Sequence, residues 1–287
     1  SSLPRGAIGL GAALGRGVPV GIVDQPRLPG VATVTVDDAA GAREAARHLV
    51  ALGHRRFGIV TLPCHPDGYT GPGDPARIES STFDVTAARF AGFADALAEA
   101  GIPIDRVPFF ECAHGAEALG AAAGAYLLAL SDRPTAVLAM SDRLAMGVMA
   151  AARATGLNVP GDVSVTGFDD IAAAAHARPA LTTVRQELRL KGYAAARLLL
   201  DAPIGAPGSG IPPADAPSAG VAVLRPTDDR PQASPLDGAG IGVGDAGAGR
   251  VPEVGSATGH AGTEVAADAS QDDHDAPGHV LAAVGAH

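Results

Sequence analysis

The sequence predicts an α/β fold built on parallel, doubly wound sheet. Short apolar runs alternate along the chain with segments of helical period, the pattern of strand-helix-strand units. Polar residues follow the ends of successive runs: Ser141 and Asp142 after 135–140, Asp169 and Asp170 after 162–168, and Gln186 after the short stretch 180–185. Open α/β sheets bind small molecules at the carboxyl ends of their strands. This layout therefore points to a cleft for a small polar molecule rather than to a catalytic centre.

The elements follow in order. PVGIV (19–23) and ATVTV (32–36) read as strands. Asp38 is expected to cap a helix running to Leu52, with Ala40, Ala45, His48 and Leu49 at helical spacing and Gly53 as a C-terminal stop. FGIVTL (57–62) is a strand. The Gly- and Pro-rich stretch CHPDGYTGPGDPARIESS is a loop at the rim of the fold. A helix over 84–100 ends at Gly101-Ile102-Pro103. VPFFE (107–111) is a strand and 115–130 a helix; TAVLAM (135–140) is a strand and 142–155 a helix closed by Gly156. DVSVTGF (162–168) is a strand, and 187–201 a helix. Segment 202–220 has the Pro, Gly and Ala content of a linker, with VAVLRPT (221–227) as one last strand. No internal repeat is visible.

Composition bounds the function. The formal net charge is −10, but residues from Asp228 onward hold ten acidic residues against two arginines. The acidic character therefore belongs to the tail and says nothing about ligand charge. No basic stripe suggests nucleic-acid contact by this segment. The tail after Thr227 has no aromatic residue and no sustained period, and is expected to be disordered. Cys64 and Cys112 are too few for a disulfide scaffold and suit a reduced, cytoplasmic setting. There is no run long and apolar enough to span a membrane and no secretory leader at Ser1. Lys191 is the only lysine, against twenty arginines.

Four residues are candidates for ligand contact. Arg89, near the start of the helix after the rim loop, offers a guanidinium that can donate two parallel hydrogen bonds to vicinal hydroxyls or a carboxylate. The alternative is an ordinary salt-bridge partner. Asp169, just past a buried strand, can accept from two hydroxyls at once, or serve as a turn residue. Asp142 is the better N-cap, leaving Ser141 to face the cleft, unless both act as caps. The Gln186 amide can both donate and accept, or bond backbone as a hinge residue. Replacing Arg89 or Asp169 with Ala should abolish ligand binding without unfolding the chain.

Other patterns are set aside. Gly9, Gly11 and Gly15 resemble a dinucleotide loop, but the spacing is wrong and no strand precedes it. His54 reads as structural. His274 and His279 among Asp272, Asp273 and Asp275 are a chance grouping in an acidic tail. No nucleophile-base-acid set or paired carboxylates stand at persuasive positions, so no catalytic residue, metal or cofactor is expected.

HLVALGHRRFGIV, RFAGFADAL, PTAVLAMSDRLAMGVMAA, VPGDVSVTGFDD and PALTTVRQ, in this order and spacing, resemble the LacI/GalR transcriptional regulators over roughly residues 1–201, plus VLRPT. The resemblance implies two Rossmann-like lobes of the type I periplasmic binding protein kind, here with an incomplete N-terminal lobe. It implies a partial N-terminal lobe over 1–62 and an effector-binding C-terminal lobe over 63–186. A helix over 187–201 would return to the first lobe, followed by a linker and final strand over 202–227 and the tail over 228–287. Arg89 matches the family's ligand-binding arginine, Asp169 its cleft aspartate and Gln186 its crossover glutamine, while Ser141 stands where the family often has Asn.

The function implied is that of a non-enzymatic effector-binding module. It would take a sugar- or nucleoside-like molecule, act as a homodimer and couple ligand to operator binding as a repressor or activator. DNA contact would need a helix-turn-helix domain, which this sequence does not contain. The alternative is the sugar-binding protein of an ABC transporter. The abrupt change in sequence after Thr227 suggests a shifted reading frame, which sequencing the gene across codon 227 would test.

Overall fold

Period-two burial along the strands decides the architecture. In the computed structural model, which describes residues 3–16 and 19–200 and the backbone of 224–225, alternate residues of each central strand face opposite helical layers. The chain begins with α1 (Ile8–Leu14), β1 (Gly21–Val23), β2 (Ala32–Val34), α2 (Asp38–Ala51), β3 (Phe57–Thr61), β4 (Gly71–Pro72), α3 (Pro75–Glu79) and α4 (Asp84–Glu99). It continues through a 3₁₀ turn (Ile104–Arg106), β5 (Phe109–Glu111), α5 (Glu117–Leu128), β6 (Ala136–Ala139), α6 (Asp142–Ala154), β7 (Ser164–Asp169), α7 (Ala172–His176), β8 (Thr182–Arg185), α8 (Leu188–Leu200) and β9 (Leu224–Arg225).

Two sheets result. The larger has the order β4-β5-β3-β6-β7-β8-β9, in which β5, β3, β6, β7 and β8 are parallel. β4 and β9 close its edges antiparallel. α2 packs on α4 over one face, burying Phe57, Ile59, Leu138, Phe93 and Leu97. α5 packs on α6 over the other, burying Val60, Val137, Leu127, Val148 and Met149. The smaller sheet is the parallel pair β1-β2, and α8 packs against both of its strands.

The strand pairing crosses residue 62. β3 pairs with both β5 and β6 and so lies inside the large sheet, while α2 belongs to the helical layer covering it. The rim loop holds more structure than its composition suggests. The side chain of Arg77 donates to both carboxylate oxygens of Glu111 and both of Asp67, and its guanidinium carbon lies 4.5 Å from the centroid of the Tyr69 ring. Glu111 is fully buried and also accepts the Cys64 N–H, so the loop is riveted to the end of β5.

Several expected ends shift by a residue or two, as the caps explain. Asp37, not Asp38, caps α2: its carboxylate accepts the Ala40 N–H. Gly9 and Gly11 lie inside α1, so they form no phosphate loop. His54 is structural, with one ring nitrogen 3.0 Å from the Thr135 hydroxyl and the other 3.0 Å from that of Ser164. Among the described residues, no helix is long and apolar enough to cross a membrane. The expected linker over 202–220 and the tail over 228–287 lie outside the described residues, as do His274 and His279.

Candidate functional site

The carboxyl ends of β6 and β7 converge on one guanidinium. Arg89, on the second turn of α4, is 4% exposed despite its charge. Its Nε donates to Asp38 Oδ1 at 2.8 Å, and one terminal nitrogen donates to the Met140 carbonyl at the end of β6. The same nitrogen lies 3.7 Å from Asp169 Oδ1, and the guanidinium carbon sits 3.6 Å from the centroid of the Phe168 ring. A buried cation so surrounded is fixed in place by its partners.

Asp169 ends β7 with φ +123°, and Asp170 follows at +55°. The third non-glycine residue at positive φ among those described is Asp24, at +72°, immediately after β1. Non-glycine backbone in this region costs about 1–3 kcal/mol per residue and persists where surrounding bonds enforce it. Here those bonds are visible. Asp142 is fully buried and accepts from the Thr183 hydroxyl and, at 2.8 Å, from the Ile171 N–H; Thr183 in turn accepts the Asp170 N–H at 3.4 Å. Gly167 makes room for this, since a Cβ there would lie 2.3 Å from Asp142 Oδ1.

Burial raises the carboxyl of Asp169 above its ordinary range, opposed by Arg89 and by the hydrogen bond from Gln186. Burial likewise pushes Asp142 up to about 6, against the two hydrogen bonds it accepts. Cys64 and Cys112 are driven up to about 12, chiefly by burial, which makes both thiols poor nucleophiles. Among the described residues no group of His, Cys, Asp and Glu is arranged to hold a metal ion.

The structure brings Arg89, Asp169 and Gln186 together: Gln186, just after β8, donates its side-chain amide to Asp169 Oδ1. Ser141, not Asp142, is the N-cap of α6. The Ser141 hydroxyl accepts the Leu144 N–H at 3.3 Å and caps α6, whereas Asp142 turns away to support the Asp169 turn. Three further residues belong to the network: Asp38, Asp24 and Lys191, whose ammonium donates to both Asp24 and Gln186. Asp24 carried the same signal as Asp169, an acid directly after a strand; Lys191 was marked only by being the sole lysine.

Beside this network, between the segment before α2 and the large lobe, lies a cleft of about 460 Å³. Asp24, Arg27, Asp37, Asp38 and Asp84 line it, with Val85 and Ala88. Its volume suits a small ligand.

A family model described as a periplasmic binding protein-like domain matches residues 46–216. An HTH-type transcriptional regulator of Mycobacterium tuberculosis is 38% identical over 204 residues, 71% of this chain and 55% of that protein. The chain belongs to the LacI family. A solved LacI-family regulator from Corynebacterium glutamicum shares the fold at TM-score 0.65 and 34% identity, covering 69% of this chain and 59% of that one. A LacI-family regulator from Enterococcus faecium, solved with bound ribose, matches at TM-score 0.53 and 30% identity over 64% of this chain and 61% of that one. The chain spans about half the length of the curated LacI-family relatives it matches.

Proposed function

We propose that this chain is the effector-binding module of a LacI-type transcriptional regulator, holding a neutral, polyhydroxylated small molecule at Arg89, Ser141, Asp169 and Gln186. The observation that carries the reading is the convergence of a buried guanidinium, a carboxylate and an amide on one point at the strand ends. Such a set offers donors and an acceptor to vicinal hydroxyls. The cleft walls mix arginines with aspartates, which favours an uncharged ligand over an ion. That a family member binds ribose supports a sugar-like effector. The relatives being transcriptional regulators favours this reading over a transport protein and over an enzyme.

The lobes would divide at Asp38 and Gln186, with β1, β2 and α8 forming one jaw and residues 38–185 the other. Effector binding would favour the closed arrangement through its higher affinity for it. A homodimer would transmit that change to a helix-turn-helix domain outside these residues. Isothermal titration of the 287-residue chain with ribose, other pentoses and hexoses, and nucleosides tests the reading. Binding that Asp169→Asn abolishes supports it; no binding across the panel, or binding indifferent to Asp169→Asn, overturns it.

A further inference from the structure

We infer that Lys191 is a positioning residue of this site: it fixes which way the Gln186 amide faces and ties that amide to Asp24, the residue after β1. The inference concerns the protein's own hydrogen bonds, and only its ligand arm rests on the function proposed above.

Lys191 lies on the first turn of α8 and is 2% exposed. Burying an ammonium is costly unless it is paired and hydrogen-bonded. Its Nζ donates to Gln186 Oε1 at 2.6 Å and to Asp24 Oδ1, a residue 167 positions away in sequence. Glutamine oxygen and nitrogen are chemically opposite, so the two ends of this amide are fixed by their neighbours. The oxygen accepts from the Lys191 ammonium, and the nitrogen donates to the Asp169 carboxylate. The flipped amide would set its NH₂ against an ammonium and its oxygen against a carboxylate. Both ends reject that state.

Removing the ammonium deletes one of these two constraints and takes from the amide oxygen its donor. The amide nitrogen carries a second N–H beyond the one given to Asp169. Held as it is, that N–H serves as a donor for a ligand hydroxyl. The same ammonium joins the residue after β1 to the residue after β8, so a ligand that engages Gln186 also bears on the β1-β2 jaw. Lys191 therefore sets both the polarity of one contact and its connection to the residue after β1.

The sequence offers a clean probe. As the only lysine, Lys191 gives a single side-chain ammonium resonance in a chain labelled with ¹⁵N-lysine, and Asn158, the only asparagine, supplies a remote side-chain amide as control. In the ligand-free 287-residue chain, we expect Asp24→Asn to shift the Lys191 ammonium resonance. We expect Lys191→Met to move the Gln186 side-chain amide pair while that of Asn158, bonded to Asp162, stays in place. If Lys191→Met leaves the Gln186 resonances unmoved, the positioning role is overturned. Should Lys191→Met not fold, Asp24→Asn alone decides: an unmoved ammonium resonance overturns the bridge.

The ligand arm uses ribose. Loss of one charge-assisted constraint should weaken binding about tenfold in Lys191→Met. Unchanged affinity overturns the ligand role of the bridge. If the unsubstituted chain fails to bind ribose, the resonance arm still tests the bridge by itself, which separates its failure from that of the effector reading.

Discussion

The guanidinium of Arg89 stacks 3.6 Å from the ring centroid of Phe168, the residue that immediately precedes Asp169. One strand end thus presents both the face on which the cation rests and the charge beside it. This makes Arg89 part of the core as well as of the site, against the expectation that its removal would spare the fold. Arg89→Ala would leave Asp38, 5% exposed, without its cation, and breaking a buried pair in this way costs about 3–5 kcal/mol. We expect a large drop in unfolding free energy by urea titration, together with loss of ligand binding. An unchanged midpoint would mean that Arg89 is not held as described.

Asp169→Asn should separate binding from stability. Arg89 keeps its bonds to Asp38 and Met140, and burial already disfavours the charge on Asp169. The variant should unfold within about 1 kcal/mol of the parent, as neutral replacement of a half-compensated charge allows. Its ribose affinity should fall at least about tenfold, the equivalent of one charge-assisted bond. Calorimetry measures both on one sample.

Asp142 predicts an unusual pH dependence. Its folded-state pKa, about 6, is above the ordinary 3.8, so the folded chain binds this proton more tightly than the unfolded one. The contribution is therefore favourable at low pH and is lost as pH rises from about 4 to 6, by no more than about 3 kcal/mol. Asp142→Asn, which resembles the protonated acid, should gain on the parent over that interval and hold a constant advantage above it. Urea midpoints of both proteins from pH 4 to 7.5 check this; parallel curves would refute it.

His54 works in the opposite direction. Burial and nearby His48 lower its pKa from the ordinary 6.5, so its neutral form is the folded one. Its contribution is present above that value and fades as pH falls below it. His54→Ala takes from the Ser164 hydroxyl its ring partner and leaves Thr135 only its bond to the Arg56 carbonyl, and should cost about 1–3 kcal/mol at pH 7.5, less at pH 5. A cost that grows with acidity would contradict the assignment.

Gly147→Ala tests the packing of α5 on α6. A Cβ there would lie 2.1 Å from the Glu117 carbonyl oxygen and 2.5 Å from the Ala121 nitrogen, both backbone atoms that cannot swing aside. We expect a loss of about 1–3 kcal/mol, as overpacking brings, with ribose binding retained.

Arg89, Asp169 and Gln186, which the fold brings together, each stand at a chain position with its own punctuation. One follows the rim loop, one follows an apolar run, and one follows a short strand. Neighbours were harder to tell apart. Asp37 against Asp38, and Ser141 against Asp142, differ by one position in which one side chain caps a helix and the other points into the lobe. Local spacing permits either choice; the tertiary partner decides. Strand pairing is likewise nonlocal, so β3 could not be assigned to its sheet from its own residues. Lys191 and Asp24 meet across nearly the whole described chain, and no periodicity encodes that.

The uninterrupted run of the large lobe from Asp38 to Arg185 bears on how the nascent chain matures. Apart from β9, everything that lobe packs is translated before α8 leaves the ribosome. β1 and β2 are made first, yet they have no helix to lie on until α8 returns to them. During synthesis Arg89 and Asp169 can therefore take their places early, while Gln186, Lys191 and Asp24 join last. A chain truncated just after Gln186 should form a protease-resistant lobe that does not retain ribose, so responsiveness to ligand arrives only with α8.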